Sequence, residues 1–199
     1  MGNRTERDFL LTEEQGGILV RLARLTIALQ LGIKADADEQ NKIEEKLSEK
    51  IFLRQRATFV TLHKAGELRG CMGTLSAYES LADSIRHNAV NAAFNDPRFP
   101  PVKSDEFSKV DIEISILTDA EPLVHENGDE LIARLRPGID GVILQHGSAG
   151  ATFLPQVWDQ LPRTEDFLGR LCLKAGLRAD TWKTGKLTVQ TYQVQHFSE

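Results

Sequence analysis

VDIEISIL (110–117) alternates without a break, with Val110, Ile112, Ile114 and Ile116 on one side and Asp111, Glu113 and Ser115 on the other. A period of two predicts a strand with one buried face and one open face. Such a strand belongs to an antiparallel sheet, because parallel sheets are covered on both sides and read as unbroken apolar runs. ATFVTLH (57–63), the turn KAG (64–66) and ELRGCMG (67–73) predict a β-hairpin. GVILQH (141–146) and ATFLP (151–155) read as strands around GSAG, and KLTVQTYQVQHF (186–197) as a final strand or hairpin. Helices are predicted over 12–31, from the capping pair Thr12 and Gln15 with Ile18, Leu22, Leu25 and Leu29 behind it, and after the pair Ser76 and Glu79. The second of these buries Leu81, Ile85, Ala89, Ala92 and Ala93 and must stop at Asn95-Asp96-Pro97. Shorter helices are predicted over 128–136 and from Thr164 to Gly176. Residues 33–56 are charged and lack a clear period, which predicts a surface connection with a short helix around Ile43 to Leu47. The fold class is α+β, with a mostly antiparallel sheet and packed helices.

A chain of 199 residues suffices for one generous domain or two small units sharing a core. The net charge of −5 argues against bulk binding to nucleic acid, which depends on neutralising phosphates, while leaving room for a local RNA contact. Cys71 and Cys172 are the only cysteines, too few for a disulfide framework, and a reducing, cytoplasmic setting is expected. The first residues carry no apolar run of the secretory kind. Met1-Gly2 lacks a serine or threonine at the position a lipid anchor needs, since Thr5 comes too early and Arg7 just after. No stretch has the length and apolarity of a membrane span.

LRGCMGTL (68–75) gathers the chemistry-bearing residues most tightly. In an unbroken strand Glu67, Arg69 and Cys71 share one face, and Leu68, Gly70 and Met72 the other. A guanidinium roughly 7 Å along the strand from a thiol favours the thiolate, making Cys71 and Arg69 candidate catalytic residues. Glu67 acts in the opposite sense. The alternative is that Cys71 is a small packing residue beside a glycine.

Further candidates for binding a substrate are Asp96 and Arg98, held in the proline-stiffened loop NDPRFPP, and Glu113 and Ser115, on the polar face of the alternating strand. Were that strand next to 67–73, Glu113 would meet Arg69 across the sheet. Asp140 in GIDG and Gln156 after FLP complete the set, although a turn role suits Asp140 equally well. The five histidines show no zinc spacing, so no metal is expected. HGSAG lacks the flanking glycines of a nucleophile elbow. No GxGxxG or GxxxxGK[ST] stretch occurs, and no cofactor is expected.

LRGCMGTL resembles the signature of the AMMECR domain family, also called AmmeMemoRadiSam system protein A, with Met72 where an aliphatic residue is usual. NAAFNDPRFPPV (91–102), VDIEISIL, GIDGVILQHGSAGATFLPQVW (138–158), FLGRLCLKAGL (167–177) and the closing TYQVQHF are similar to that family in the same order. The resemblance implies a single α+β domain over 1–199, built from two interleaved parts, the larger around an antiparallel sheet and the smaller helical. It also implies a pathway shared with a radical SAM protein and a MEMO-type protein, and it implies no reaction. Three roles follow: an accessory or substrate-binding component beside those partners, an enzyme using Cys71 on a small molecule or modified nucleotide, or an RNA-binding factor.

Overall fold

The computed structural model describes residues 10–184 and 186–199, so the readings of a leader or lipid anchor at residues 1–9 lie outside the described residues. The chain forms two units, one running to Leu117 and including Gln195–Glu199, the other spanning Thr118–Val194.

The first unit begins with α1 (Glu13–Gln30) and α2 (Ala37–Leu47). The hairpin β1 (Thr58–Lys64) and β2 (Glu67–Gly73) follows, then α3 (Leu81–Val90), which runs on as a π-helical turn over Asn91–Asn95. The short α4 (Ser104–Phe107) leads into β3 (Val110–Leu117). In the second unit come β4 (Glu121–Pro122), α5 (Gly128–Arg134), β5 (Gly141–His146), β6 (Ala149–Phe153), α6 (Thr164–Lys174) and β7 (Thr188–Tyr192), and β8 (Val194–Ser198) closes the first.

The strands of the first unit lie in the order β2-β1-β3-β8. Alternation puts Val60, Leu62, Ile112, Ile114 and Ile116 on the inner face, where they are buried with Leu19, Leu22 and Ile27 of α1 and Leu81, Ile85 and Ala89 of α3. The Thr12 capping box is formed, with the Gln15 amide donating to Thr12 Oγ1 and the Thr12 amide to Gln15 Oε1. The apolar row of α1 drifts around the axis, so that Leu29 at its end is exposed and Ile27 is buried instead. Three expectations change. Helix α2 is longer than predicted because Asp36 caps it and Ile43 and Leu47 seat it on the core. Phe52, inside the supposed surface connection, is fully buried. Helix α3 starts at Leu81 rather than behind Ser76: its cap is Ser80, whose Oγ accepts from the Asp83 amide.

The second unit carries a sheet of its own, β4-β7-β5-β6, beside the helices that the resemblance implied. Leu131, Leu144, Leu171, Cys172 and Trp182 are buried together there, with Trp158 stacked flat on Phe167 at 3.7 Å. Thr164 is the first helical residue of α6 rather than its cap. The closing segment, expected as one strand or hairpin, is two strands in different sheets, broken at Gln193. Both sheets are antiparallel. No helix among the described residues is long and apolar enough to cross a membrane.

Gly70 is where β2 meets the π-helical turn. A Cβ there would lie 2.2 Å from the carbonyl oxygen of Ala92, a main-chain atom that has no rotamer through which to yield. Gly70→Ala is therefore expected to lower stability by about 1–3 kcal/mol or more. Gly17→Ala, in α1 with only the Arg21 head group at 3.8 Å, should be neutral or stabilising by up to about 1 kcal/mol. Urea unfolding of the two variants checks the contrast.

Candidate functional site

Register places the polar residues of the first sheet. Thr61 stands opposite Cys71 on one side and Glu113 on the other, so thiol, hydroxyl and carboxylate form one row across β2, β1 and β3. The neighbouring rows are Gly73, Phe59 and Ser115, and Leu68, His63 and Asp111. Directly opposed residues face the same way. These rows therefore make up the outer face of the sheet, the side away from Val60 and Leu62. Thr61 Oγ1 lies 3.3 Å from Cys71 Sγ and donates to it. Cys71 itself is half-buried.

The main chain of Cys71 is held from outside the sheet. Strand β2 is an edge, and both main-chain polar groups of Cys71 point away from β1, as in a non-hydrogen-bonded antiparallel pair. Asp96 Oδ2 accepts from the Cys71 amide at 2.8 Å, and Arg98 Nη2 donates to the Cys71 carbonyl at 3.0 Å. Asp96 and Arg98 also bind each other, Nε to Oδ1 at 2.9 Å and Nη2 to Oδ2 at 2.7 Å. Together the two side chains occupy the place of one more strand residue and blunt the exposed edge. Asp96 is buried, and the Arg98 hydrogen bond, helped by the Cys71 amide, holds its carboxyl far below the usual carboxylate range against the opposing effect of burial. The π-helical turn delivers Asp96 to this position: the helix ends there, with Asp96 extended at φ −73° and ψ 114°. Phe99 is half-buried, with the Arg98 guanidinium over its ring at 5.5 Å.

Arg69 lies elsewhere than an unbroken strand predicts. The hairpin turn pairs Lys64 with Glu67 and His63 with Leu68, but Leu62 then pairs with Gly70, so Arg69 is an extra residue in β2. This β-bulge breaks the alternation, and the expected shared face of Glu67, Arg69 and Cys71 does not form. The Arg69 guanidinium joins Lys64 on Glu106, with Nη2 2.7 Å from Oε1, and also donates to the Pro101 carbonyl at 3.3 Å. Nor does Glu113 meet Arg69, because β1 runs between their strands.

Glu113 instead turns to β8. Its Oε1 lies 3.5 Å from His196 Nδ1, and Ser115 Oγ is 3.1 Å from the same nitrogen. The His196 hydrogen bond holds the Glu113 carboxyl below its ordinary range, against burial, with the charges of His196 and His63 acting in the same sense as the bond. This trio is not a hydrolase triad, in which acid and serine address opposite ring nitrogens. Asp140 and Gln156 belong to the second unit. Asp140 is buried and accepts from the Arg136 main chain and guanidinium, the turn role open to it from sequence, while its carbonyl accepts from Trp158 Nε1 at 2.7 Å. Gln156 is exposed on the 3-10 turn Pro155–Asp159. Thr61, His196 and Glu106 were not singled out from the sequence. The hairpin turn pointed to the region of Thr61, but the other two depend on strand order and on the loop path.

A family model described as AMMECR1 matches residues 20–197. A protein of Methanothermobacter thermautotrophicus is 37% identical over 194 residues, covering 95% of this chain and 96% of its own length. A protein of Thermofilum pendens is 38% identical, covering 95% and 92%. The crystal structure of uncharacterized protein PH0010 from Pyrococcus horikoshii superposes with a TM-score of 0.77 at 30% identity, covering 95% of this chain and 93% of that one. The fold and the motif-bearing hairpin thus define an α+β protein of the AMMECR type. The chain belongs to the AMMECR1 family.

Glu106 gives the bulge a pH-dependent anchor. Its hydrogen bonds from Arg69, and then from Lys64, lower its pKa from 4.5 to about 2. A folded value below the unfolded one means that this stabilisation is complete above about pH 4.5 and disappears as pH falls towards 2. Glu106→Gln should flatten the pH dependence of the urea midpoint in that window. At pH 7 it should cost roughly 2–4 kcal/mol, because it leaves the largely buried Arg69 charge without its partner. Equal slopes in wild type and variant would show that Glu106 does not anchor the bulge.

Proposed function

We propose that this chain is an accessory, ligand-binding component, and that the outer face of its first sheet receives a small polar molecule. The supporting observation is the row Cys71, Thr61 and Glu113, continued by Ser115 and His196: five side chains with hydrogen-bonding or nucleophilic atoms on one rigid sheet face, with the thiol partly open. Sheet positions hold such groups with little entropy left to lose on binding. The Asp96–Arg98 pair fixes the main chain beneath the thiol, and the exposed Arg98 guanidinium stands beside the Cys71 side chain, where it can also touch a ligand. The partners that fit this role are the radical SAM protein and MEMO-type protein of the family pathway, with any radical chemistry residing in the former.

A second reading, an enzyme working on a small molecule or modified nucleotide through the Cys71 thiol, draws support from Thr61, which places a hydrogen-bond donor on the sulfur. Against it, no histidine among the described residues bonds Cys71, and a thiol nucleophile ordinarily has such a base beside it. The first reading is therefore preferred.

Affinity capture from native lysate, with wild type beside Cys71→Ala, separates the two. The accessory reading expects a retained small molecule in the wild-type eluate that is reduced at least several-fold in the variant, with the radical SAM and MEMO-type proteins retained by both. Identical eluates free of small molecules would overturn it. A covalent adduct on Cys71 would move the balance to the enzyme.

A further inference from the structure

We propose that Cys71 is a site of two-electron oxidation by a hydroperoxide, served by donors from two separate elements, the Thr61 hydroxyl of β1 and the Arg98 guanidinium of the NDPRFPP loop. The proposal goes beyond the reading of a ligand on the sheet face: it needs the thiol to be reachable and needs no bound partner. The sulfur is flanked on both sides. From β1, Thr61 Oγ1 donates to Sγ at 3.3 Å. From beyond the edge of β2, the exposed Arg98 side chain lies against the Cys71 side chain, and its charge acts on it. Nε and Nη2 of that guanidinium are held by buried Asp96 and by the Cys71 carbonyl. Nη1 has no oxygen partner among the described residues. Strand register fixes the hydroxyl and a buried carboxylate fixes the guanidinium, so both donors are in place before any reagent arrives.

Oxidation by a hydroperoxide is the thiol reaction that this arrangement suits. The Cys71 sulfur, its proton given to solvent, attacks the terminal oxygen of the hydroperoxide. A sulfur–oxygen bond forms, the oxygen–oxygen bond breaks, and sulfur gives up two electrons. The departing oxygen leaves as an alkoxide, or as hydroxide from hydrogen peroxide, and takes one proton from solvent. The sum is thiol plus hydroperoxide giving sulfenic acid plus alcohol or water. Negative charge grows on the departing oxygen, and fixed N–H and O–H donors act most strongly where charge develops. Beyond ionisation of the thiol the step uses no base, so the lack of a histidine on Cys71, which counts against acyl transfer, does not count here. A hydroperoxide is small and uncharged, and the mixed charges of Asp111, Glu113, His63 and His196 do not oppose its approach. The chain has no second thiol to close on the product, because Cys172 is the only other cysteine and is buried in the other unit. Return to the thiol therefore falls to a small external thiol. One molecule condenses with the sulfenic acid and releases water, and a second displaces Cys71 from the mixed disulfide.

The folded full chain is treated with hydrogen peroxide at neutral pH in the presence of dimedone, which traps sulfenic acid, and the adduct on Cys71 is followed by mass spectrometry. A parallel reaction with iodoacetamide, an uncharged alkylating agent, reports how reachable and how ionised the thiol is. The ratio of the two rates, divided by the same ratio for free N-acetylcysteine, isolates what the donors do for the peroxide. Cys172 is fully buried and serves as the internal control. The normalised ratio is expected to exceed unity by at least about tenfold, as two hydrogen bonds strengthened at the departing oxygen give. Thr61→Val should lower it by at least about threefold, the equivalent of one such bond, while Thr61→Ser should keep it. A ratio near unity, a ratio that Thr61→Val leaves unchanged, or a Cys71 that reacts with neither reagent until the chain unfolds would overturn the proposal. The first and last of these are read on the wild type, so the test holds even if a variant folds poorly. The last would also remove the open face on which the accessory reading depends, whereas the other two leave that reading standing.

Discussion

Everything about this site depends on one extra residue in β2. A two-residue turn at Ala65 and Gly66, both at positive φ, fixes the start of the hairpin by pairing Lys64 with Glu67. Counted back without interruption, that register would set Cys71 opposite Val60 and turn the thiol into the core. The bulge at Arg69 shifts the pairing by one, sets Cys71 opposite Thr61 and turns the thiol outward. Three contacts hold the shift in place. Arg69 is pinned to Glu106, Gly70 lets the Ala92 carbonyl press against the strand, and Asp96 with Arg98 takes up the outward main chain of Cys71.

These contacts give each residue of the motif a different task. Arg69 positions the strand. Gly70 is small because a main-chain carbonyl occupies the space of its side chain. Cys71 is displayed. The loop NDPRFPP finishes a helix and also closes a sheet edge, two tasks met by one buried carboxylate and its guanidinium. The outer face beside them carries carboxylate, imidazole and hydroxyl groups, with the exposed Arg98 guanidinium next to the thiol at its edge.

Much of the fold was legible because its signals are local. The alternation of 110–117, the hairpin turn, the Thr12 capping box and the stop at Pro97 each depend on a few neighbouring residues, and each formed. Helix α2 leaves a weaker signal than its length, because its buried apolar residues are only Ile43 and Leu47. The candidate residues can be named from the sequence, but most of their pairings cannot. Cys71, Asp96 and Arg98 do converge, and Glu113 and Ser115 do share a face. The displacement of Arg69 from the thiol is hidden because a bulge leaves no mark in composition, and the separation of Glu113 from Arg69 is hidden because strand order is a long-range property. His196 stayed invisible for the same reason: it reaches Glu113 only because the last strand returns to the first sheet.

The shifted register can be measured directly. A non-hydrogen-bonded antiparallel pair brings its two alpha carbons to about 4.5 Å, close enough for a strong nuclear Overhauser effect between the alpha protons. The account predicts that cross-peak between Cys71 and Thr61. A strong alpha-proton cross-peak between Thr61 and Gly70 instead, the one a ladder without the extra residue would give, would contradict it.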